Sequence, residues 1–232
     1  MNRPLFIKAL KLTLPVFFGY IAIGIPFGLM LTQASYPWYL APLMSVTMYA
    51  GAGQYAAVGL FASGASFPVI ALTTLAVNIR HIVYGLSLNE QFKNTGKWKP
   101  YLIFALTDET YALLTSSPLP PHARKAHWYA AICALNHSYW ILGSTIGAVI
   151  GANIPLDFKG VDFALTALFV VLLIDQLKVS KTPLPPLAGA LCACTALIIF
   201  GPGNMLIASL ALGIAALILL KKPIEAQSAR VR

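Results

Sequence analysis

Apolar residues fill this chain in long runs, and its polar and charged residues are gathered into the short stretches between them. Eight runs stand out, at roughly 12–31, 42–61, 67–87, 100–116, 127–150, 163–177, 184–200 and 204–220, each bounded by Gly, Pro or charge. A helix needs about 20 mostly apolar residues to cross the hydrocarbon core of a bilayer. The pattern therefore predicts an all-α polytopic membrane protein, with 1–232 forming a single transmembrane domain.

Two of the runs are interrupted from within. The first contains Pro15, Gly19, Gly24, Pro26 and Gly28, and the second holds Ala50-Gly51-Ala52-Gly53-Gln54-Tyr55. Gly and Pro break membrane helices where the freed backbone lines a cavity or is buried in protein, and discontinuous helices build the substrate sites of secondary transporters. Alternatively, small residues such as Gly24-x-x-x-Gly28 simply let helices approach closely. The first run favours close approach; the second favours a break, because the Gln54 amide sits beside two glycines. Gly143-x-x-x-Gly147-x-x-x-Gly151 in the fifth run echoes the first, a spacing consistent with repeated halves.

Loop charge sets the expected orientation. Arg3, Lys8 and Lys11 precede the first run, Lys93, Lys97 and Lys99 lie in the 88–99 loop, and Arg124 and Lys125 fall in the 117–127 loop. Lys178 and Lys181 follow the sixth run, and Lys221 and Lys222 the eighth. By the positive-inside rule all of these are cytoplasmic. The connection with Asp157, Lys159 and Asp162 is slightly acidic and the Gly201-Pro202-Gly203-Asn204 turn is uncharged, so runs five to eight cross four times. Upstream the rule strains: the chain makes either six crossings with two re-entrant pieces or eight with one violation. Both place the termini inside, with 1–11 as a cytoplasmic N-terminus and 221–232 as a cytoplasmic tail.

Composition narrows the class further. The chain is 58% hydrophobic and 10% charged, with a mean hydropathy of +0.75, more greasy surface than one water-soluble core can bury. Its net charge of +9 sits in short groups at the ends of apolar runs, without a basic face, so lipid headgroups rather than nucleic acid explain it. Cys133, Cys192 and Cys194 all fall in apolar runs, and Cys192-x-Cys194 points its thiols to different sides of a helix, which speaks for packing over disulfide or metal chemistry. The basic start and apolar run at 1–31 resemble a signal peptide, but 12–31 is long enough to span and Thr-Gln-Ala-Ser-Tyr-Pro is a poor cleavage site, so a retained first helix is expected.

The most informative polar residues are Arg80 and His81, at the end of the otherwise uncharged stretch from Phe67 to Leu86. An ionised side chain near bilayer depth costs about 2.5 kcal/mol or more on insertion scales, so it needs a carboxylate, a carbonyl or a watery cavity. On a helix, Thr73, Val77, Arg80 and Tyr84 share one stripe, and Thr74, Asn78, His81 and Gly85 the next. Asp108 and Glu109 are the only adjacent acids and lie inside a short apolar run. Neighbouring helix positions diverge by about 100°, so one can serve a site while the other pairs with Arg80 or a lysine.

Four motifs in order resemble the AzlC family: Tyr49-Ala50-Gly51-Ala52-Gly53-Gln54-Tyr55, Asn78-Ile79-Arg80-His81-Ile82-Val83-Tyr84-Gly85, Leu106-Thr107-Asp108-Glu109-Thr110, and Asp162-Phe163-Ala164-Leu165. The resemblance runs from about Leu14 to Ile174; the last two runs carry no matching motif. It implies the large subunit of a branched-chain amino acid exporter, named for azaleucine resistance: a permease of the bacterial inner membrane. Such a protein exports valine, leucine, isoleucine or related amino acids together with a small membrane subunit of the AzlD type.

A hydrophobic amino acid is a zwitterion with an apolar side chain, so a carrier needs a partner for the carboxylate, one for the ammonium, and a greasy pocket. The expected substrate site is Arg80, Asn78, His81, Gln54, Gly51 and Gly53, with the Arg80 guanidinium as a bidentate fork for the carboxylate. The alternative for Arg80 is a side chain reaching to the headgroups. Asp108 and Glu109 are candidates for an ammonium or a coupling proton, or for a structural ion pair. Asp175, close to Lys178, reads as a surface pair, and His137, beside Asn136, as a helix-to-helix hydrogen-bonding residue rather than a proton relay.

No pair among the four histidines has metal-ligand spacing, His122 and His127 lying in or beside a loop, and no cofactor is called for. No Walker A pattern, Gly-x-Ser-x-Gly elbow or His-Glu-x-x-His helix occurs, so ATP-driven transport and the common intramembrane hydrolases are disfavoured. The expected function is secondary transport and not enzymatic. A channel or structural subunit is the alternative, and a membrane enzyme using Asp108 or Glu109 ranks third.

The charge pattern makes one prediction directly. A reporter fused within the Lys93 to Lys99 loop should read cytoplasmic; an extracellular reading discards six crossings in favour of eight.

Overall fold

The computed structural model describes residues 3–154 and 183–223, with scattered helical positions between 163 and 177. Most of the sixth run, the connection with Asp157, Lys159 and Asp162, the Asp162 motif, the Asp175 and Lys178 pair, and the tail beyond 223 lie outside the described residues.

Every regular element among the described residues is helical. In chain order these are α1 (Arg3–Gln33), α2 (Leu40–Thr47), α3 (Gly51–Ala62), α4 (Phe67–Leu88), a single 3₁₀ turn (Gly96–Trp98), α5 (Lys99–Phe104), α6 (Asp108–Ser116), α7 (Lys125–Asn153) and α8 (Leu184–Leu219). Three stretches among the described residues are long and apolar enough to cross a membrane: Arg3–Gln33, Phe67–Leu88 and Leu184–Gly201. Two compact units divide the chain, one of Met1–Gly64 with Val77–Thr166 and one of Ala65–Ala76 with Ala167–Arg232.

The first unit is organised by α1 against α7. Gly24 approaches so closely that a Cβ placed on it would stand 3.0 Å from the Ser144 nitrogen, and one on Gly143 would stand 2.8 Å from the Tyr20 carbonyl oxygen. Further along, a Cβ on Gly28 would overlap the Ser144 carbonyl, one on Gly147 the Ile25 carbonyl, and one on Gly151 the Thr32 hydroxyl. The two small-residue stripes that echo each other in sequence thus face each other in space. Without a hydrophobic force to drive helices together in lipid, such backbone contact is how they gain van der Waals energy.

Segment one is therefore one helix, continuous through Pro15 and Pro26. Beside Pro26, the Tyr55 hydroxyl donates to the Ile23 carbonyl at 2.6 Å, the kind of contact that lets a proline sit in a membrane helix.

Segments two and four are both broken. The first parts into α2 and α3 at residues 48–50, where Tyr49 adopts φ 43°, a left-handed backbone that a bulky residue takes up only under constraint. The second parts into α5 and α6 at 105–107, where Thr107 caps α6 by accepting from the Thr110 N–H at 3.3 Å.

In the second unit, α8 covers both of the last two runs, with Gly201 at φ 69° and ψ 173° making the kink between them. That backbone region is open to glycine alone, which is why the expected Gly201 turn is a kink at this residue. Ile198 and Leu219 are more than four-fifths exposed, as apolar side chains meant for lipid would be.

The seam yields a test. Gly147→Val must push the Ile25 backbone away and should cost about 3 kcal/mol or more in unfolding free energy. Gly19→Ala, with nothing within 4 Å of the added carbon, should leave the thermal midpoint in detergent unchanged or higher. Equal effects at both positions would show that the seam does not hold the helices together.

Candidate functional site

Polar side chains gather around the two breaks. At the first, Gln54 is fully buried and its amide is spent on the chain around it. Its Oε1 accepts from the Ala50 N–H at 3.3 Å and from Trp140 Nε1 at 2.8 Å, and its Nε2 donates to Ser45 Oγ at 3.1 Å. Ser45 Oγ meets Ser144 Oγ at 2.8 Å. His137 closes this network, with Nε2 3.1 Å from the Ser45 carbonyl and Nδ1 3.3 Å from the Tyr101 hydroxyl. Both ring nitrogens are engaged, and the imidazole also stacks on Tyr49 at 4.3 Å between centroids. His137 is the helix-to-helix hydrogen-bonding residue that its position suggested.

The glycines of the break make room for neighbours. A Cβ on Gly53 would stand 2.6 Å from Asn78 Nδ2, and one on Gly51 would stand 3.1 Å from the Trp140 ring. Gly53 therefore lets the Asn78 side chain of α4 lie against the α3 backbone. Asn78 Oδ1 is buried without a hydrogen-bond partner among the described residues.

At the second break, the first turn of α6 carries both acids and sends them to different neighbours. Asp108 faces α4: its Oδ2 lies 2.9 Å from Arg80 Nη1, and its Oδ1 accepts a hydrogen bond from the Tyr84 hydroxyl. Arg80 and Tyr84 stand one turn apart, so the predicted stripe holds and a single carboxylate bridges it. Tyr84 is itself fixed by stacking on Tyr111 at 4.5 Å, and the Tyr111 hydroxyl lies 3.0 Å from Ser87 Oγ. The Arg80 side chain is 23% exposed and its Nε is buried with no partner among the described residues. The guanidinium is thus held by one terminal nitrogen and has an unused edge. His81 lies 6.0 Å from the Tyr84 ring, centroid to centroid, and makes no hydrogen bond among the described residues.

Glu109 faces α1 instead. The Tyr20 hydroxyl donates to its Oε2 at 2.8 Å and lies 2.6 Å from Thr107 Oγ1. Thr107 Oγ1 reaches Thr110 Oγ1 at 3.0 Å, which accepts from Asn136 Nδ2 of α7 at the same distance.

Of the expected site residues, Arg80 and Asp108 come together, Gly53 and Asn78 come together, and Gln54 is engaged in holding the first break. Sequence reasoning missed Tyr84 as a partner of Asp108 and missed Tyr20 altogether, and it gave Thr107 and Thr110 no role beyond their place in the Leu106 to Thr110 motif. Tyr84 was visible on the Arg80 stripe; the Tyr20 contact, across 89 positions of chain, left no local signal. No group of metal-ligating side chains occurs among the described residues.

These features define a helical membrane protein with a buried polar centre built on two interrupted helices. Comparison with known proteins gives it a family. The AzlC protein family model matches residues 15–154, and the chain belongs to the AzlC family. It is 33% identical to the branched-chain amino acid transport protein AzlC of Bacillus subtilis, over 95% of this chain and 87% of that one. An uncharacterized membrane protein of Helicobacter pylori strain J99 is 39% identical over 95% of this chain and 98% of its own length. The inner membrane protein YgaZ of Escherichia coli is 32% identical, over 82% of this chain and 81% of that one. No solved structure matches.

The Gln54 network makes a prediction of stability. Gln54→Leu leaves the Trp140 and Ala50 donors buried and unpaired, and should destabilise the protein by about 2 kcal/mol or more. Thermal unfolding in detergent checks this, and an unchanged midpoint would show that the amide does not hold the break.

Proposed function

We propose that this protein is a secondary transporter that exports branched-chain or related hydrophobic amino acids across the bacterial inner membrane, together with a small AzlD-type subunit. The observation that carries the reading is the Arg80 guanidinium, tethered to Asp108 through Nη1 and with its buried Nε unpaired among the described residues. A planar fork of that kind takes a carboxylate bidentately. The substrate carboxylate docks on the unused edge, while Asp108 holds the arginine in the bundle and offsets its charge. Asn78 and His81 flank it on α4. Gly51, Gly53 and Gln54 shape the adjoining break, where Asn78 meets the α3 backbone. Apolar side chains around these groups take the substrate's own side chain.

The name of the Bacillus relative supports the substrate class, and that of the Escherichia relative supports the inner membrane. Six to eight crossings with both termini cytoplasmic complete the reading, in keeping with the loop charges. The chemistry is non-covalent: the same amino acid leaves that entered.

Efflux of preloaded, labelled amino acids from vesicles tests this, with and without the small subunit. Export should saturate with substrate and need the small subunit. Arg80→Lys keeps the charge but loses the fork, and should weaken apparent substrate affinity about tenfold, a cost of about 1.4 kcal/mol. Arg80→Ala should abolish export while the protein stays in the membrane. Unsaturable flux would make the protein a channel, and normal export by both variants would move the site away from Arg80.

A further inference from the structure

The two adjacent acids differ in one respect that the transport reading leaves unused. Asp108 has a cation partner in Arg80; Glu109 has none among the described residues. Its surroundings are instead hydroxyls and amides. Tyr20 faces it from α1, and the Tyr49 ring of the first break lies edge-on to Tyr20 at 6.5 Å between centroids. Thr107 and Thr110 lie on its own turn, and Asn136 comes in from α7 through Thr110. The charged group next to it is Asp108, with Arg80 behind on α4, while His137 of α7 stacks on Tyr49. Asn136 is fully buried, and its Oδ1 has no partner among the described residues.

A buried carboxylate without a countercharge is costly, so this group needs a cation. The geometry decides which. A hard metal ion gathers several oxygens around itself, but here the hydroxyl oxygens already touch one another at 2.6 and 3.0 Å in hydrogen bonds. A proton needs no such space. We infer that Glu109 is a proton-binding site separate from the substrate site at Arg80, and that its proton is exchanged across the membrane as the amino acid moves. This rests on the transport reading and adds the driving ion and the residue that carries it. The step is one proton: the carboxylate takes it from one side of the membrane and gives it up to the other, and no bond of the amino acid is broken. Tyr20, which donates to the ionised carboxylate, is a positioning residue for that exchange.

The test uses the full protein with its small subunit in proteoliposomes, reading labelled amino acid and an internal pH dye together. Net efflux by the natural protein should rise with an imposed pH gradient and carry protons; a sodium gradient alone should have no effect. Glu109→Gln still accepts from Tyr20 but cannot ionise. It should lose the response to the pH gradient and the dye signal while retaining exchange of internal for external amino acid, a process that needs no net proton movement. Tyr20→Phe leaves the carboxyl in place and should move the pH profile of net efflux. Glu109→Gln that still responds to the pH gradient, or that loses exchange as well, overturns the proposal. So does a sodium-driven natural protein, or Tyr20→Phe with an unmoved profile, which also decides the matter if the glutamine variant does not fold. Absence of any amino acid flux in the natural protein would instead defeat the transport reading itself.

Discussion

Close backbone contact between α1 and α7 is the constraint on which the first unit depends. Gly24 and Gly28 on one helix meet Gly143, Ser144, Gly147 and Ala148 on the other, so near that a single added carbon would collide with main-chain atoms. A contact between two backbones cannot slide or repack as side chains can. It fixes the axial register of the pair, and with it the height at which Tyr20 and Asn136 stand. Those two residues reach the second break from opposite helices, Tyr20 to Glu109 and Asn136 to Thr110. Trp140 and Ser144, on the same face of α7, reach the first break. The seam is therefore what aligns both breaks with the polar centre.

Interrupting a helix inside an apolar protein strands backbone donors and acceptors, and several of them meet a side chain here. At the first break, the Ala50 N–H goes to Gln54 and the Ser45 carbonyl to His137. At the second, Thr107 takes the Thr110 N–H. These satisfactions allow the left-handed Tyr49, whose ring stacks on His137 and also meets Phe104. Strain of that kind persists only where the surroundings over-determine it. The same logic explains the division of labour among the polar residues: Gln54 and His137 are engaged by backbone and side chains around the first break, whereas Arg80 and Asn78 retain atoms unpaired among the described residues.

Much of this was legible in the residue pattern because lipid imposes simple rules. Apolar runs bounded by charge marked the helices, the Gln54 amide beside two glycines marked a break, and the Arg80 to Tyr84 stripe marked the polar face of α4. The break in the fourth run was harder to see, since Ala105 and Leu106 carry no Gly or Pro; only Thr107, three residues before the hydroxyl of Thr110, hints at a new helix start. The meaning of the repeated glycine spacing was also hidden. Its two copies were open to a reading as repeated halves of the chain, but spacing alone cannot show that one stripe packs against the other. Pairings across the chain, such as Tyr20 with Glu109, depend on the seam's register and have no local signature.

The placement of Asp108 and Glu109 on one short helix has a mechanical consequence. Because successive helical residues point about 100° apart, adjacency in sequence becomes separation in space: Asp108 is held by α4 and Glu109 by α1. The nine-residue α6 that carries both begins at a break and is not continuous with α5. The two acids tie this one short turn to two different helices, Asp108 to α4 through Arg80 and Glu109 to α1 through Tyr20. On the proposed reading, the substrate carboxylate docks on the free edge of the guanidinium that Asp108 holds, next to the very residue that precedes Glu109. If the proposed transport and proton sites hold, the adjacent acids place them on successive residues of one short helix, so that no long chain of intermediates is needed to link them.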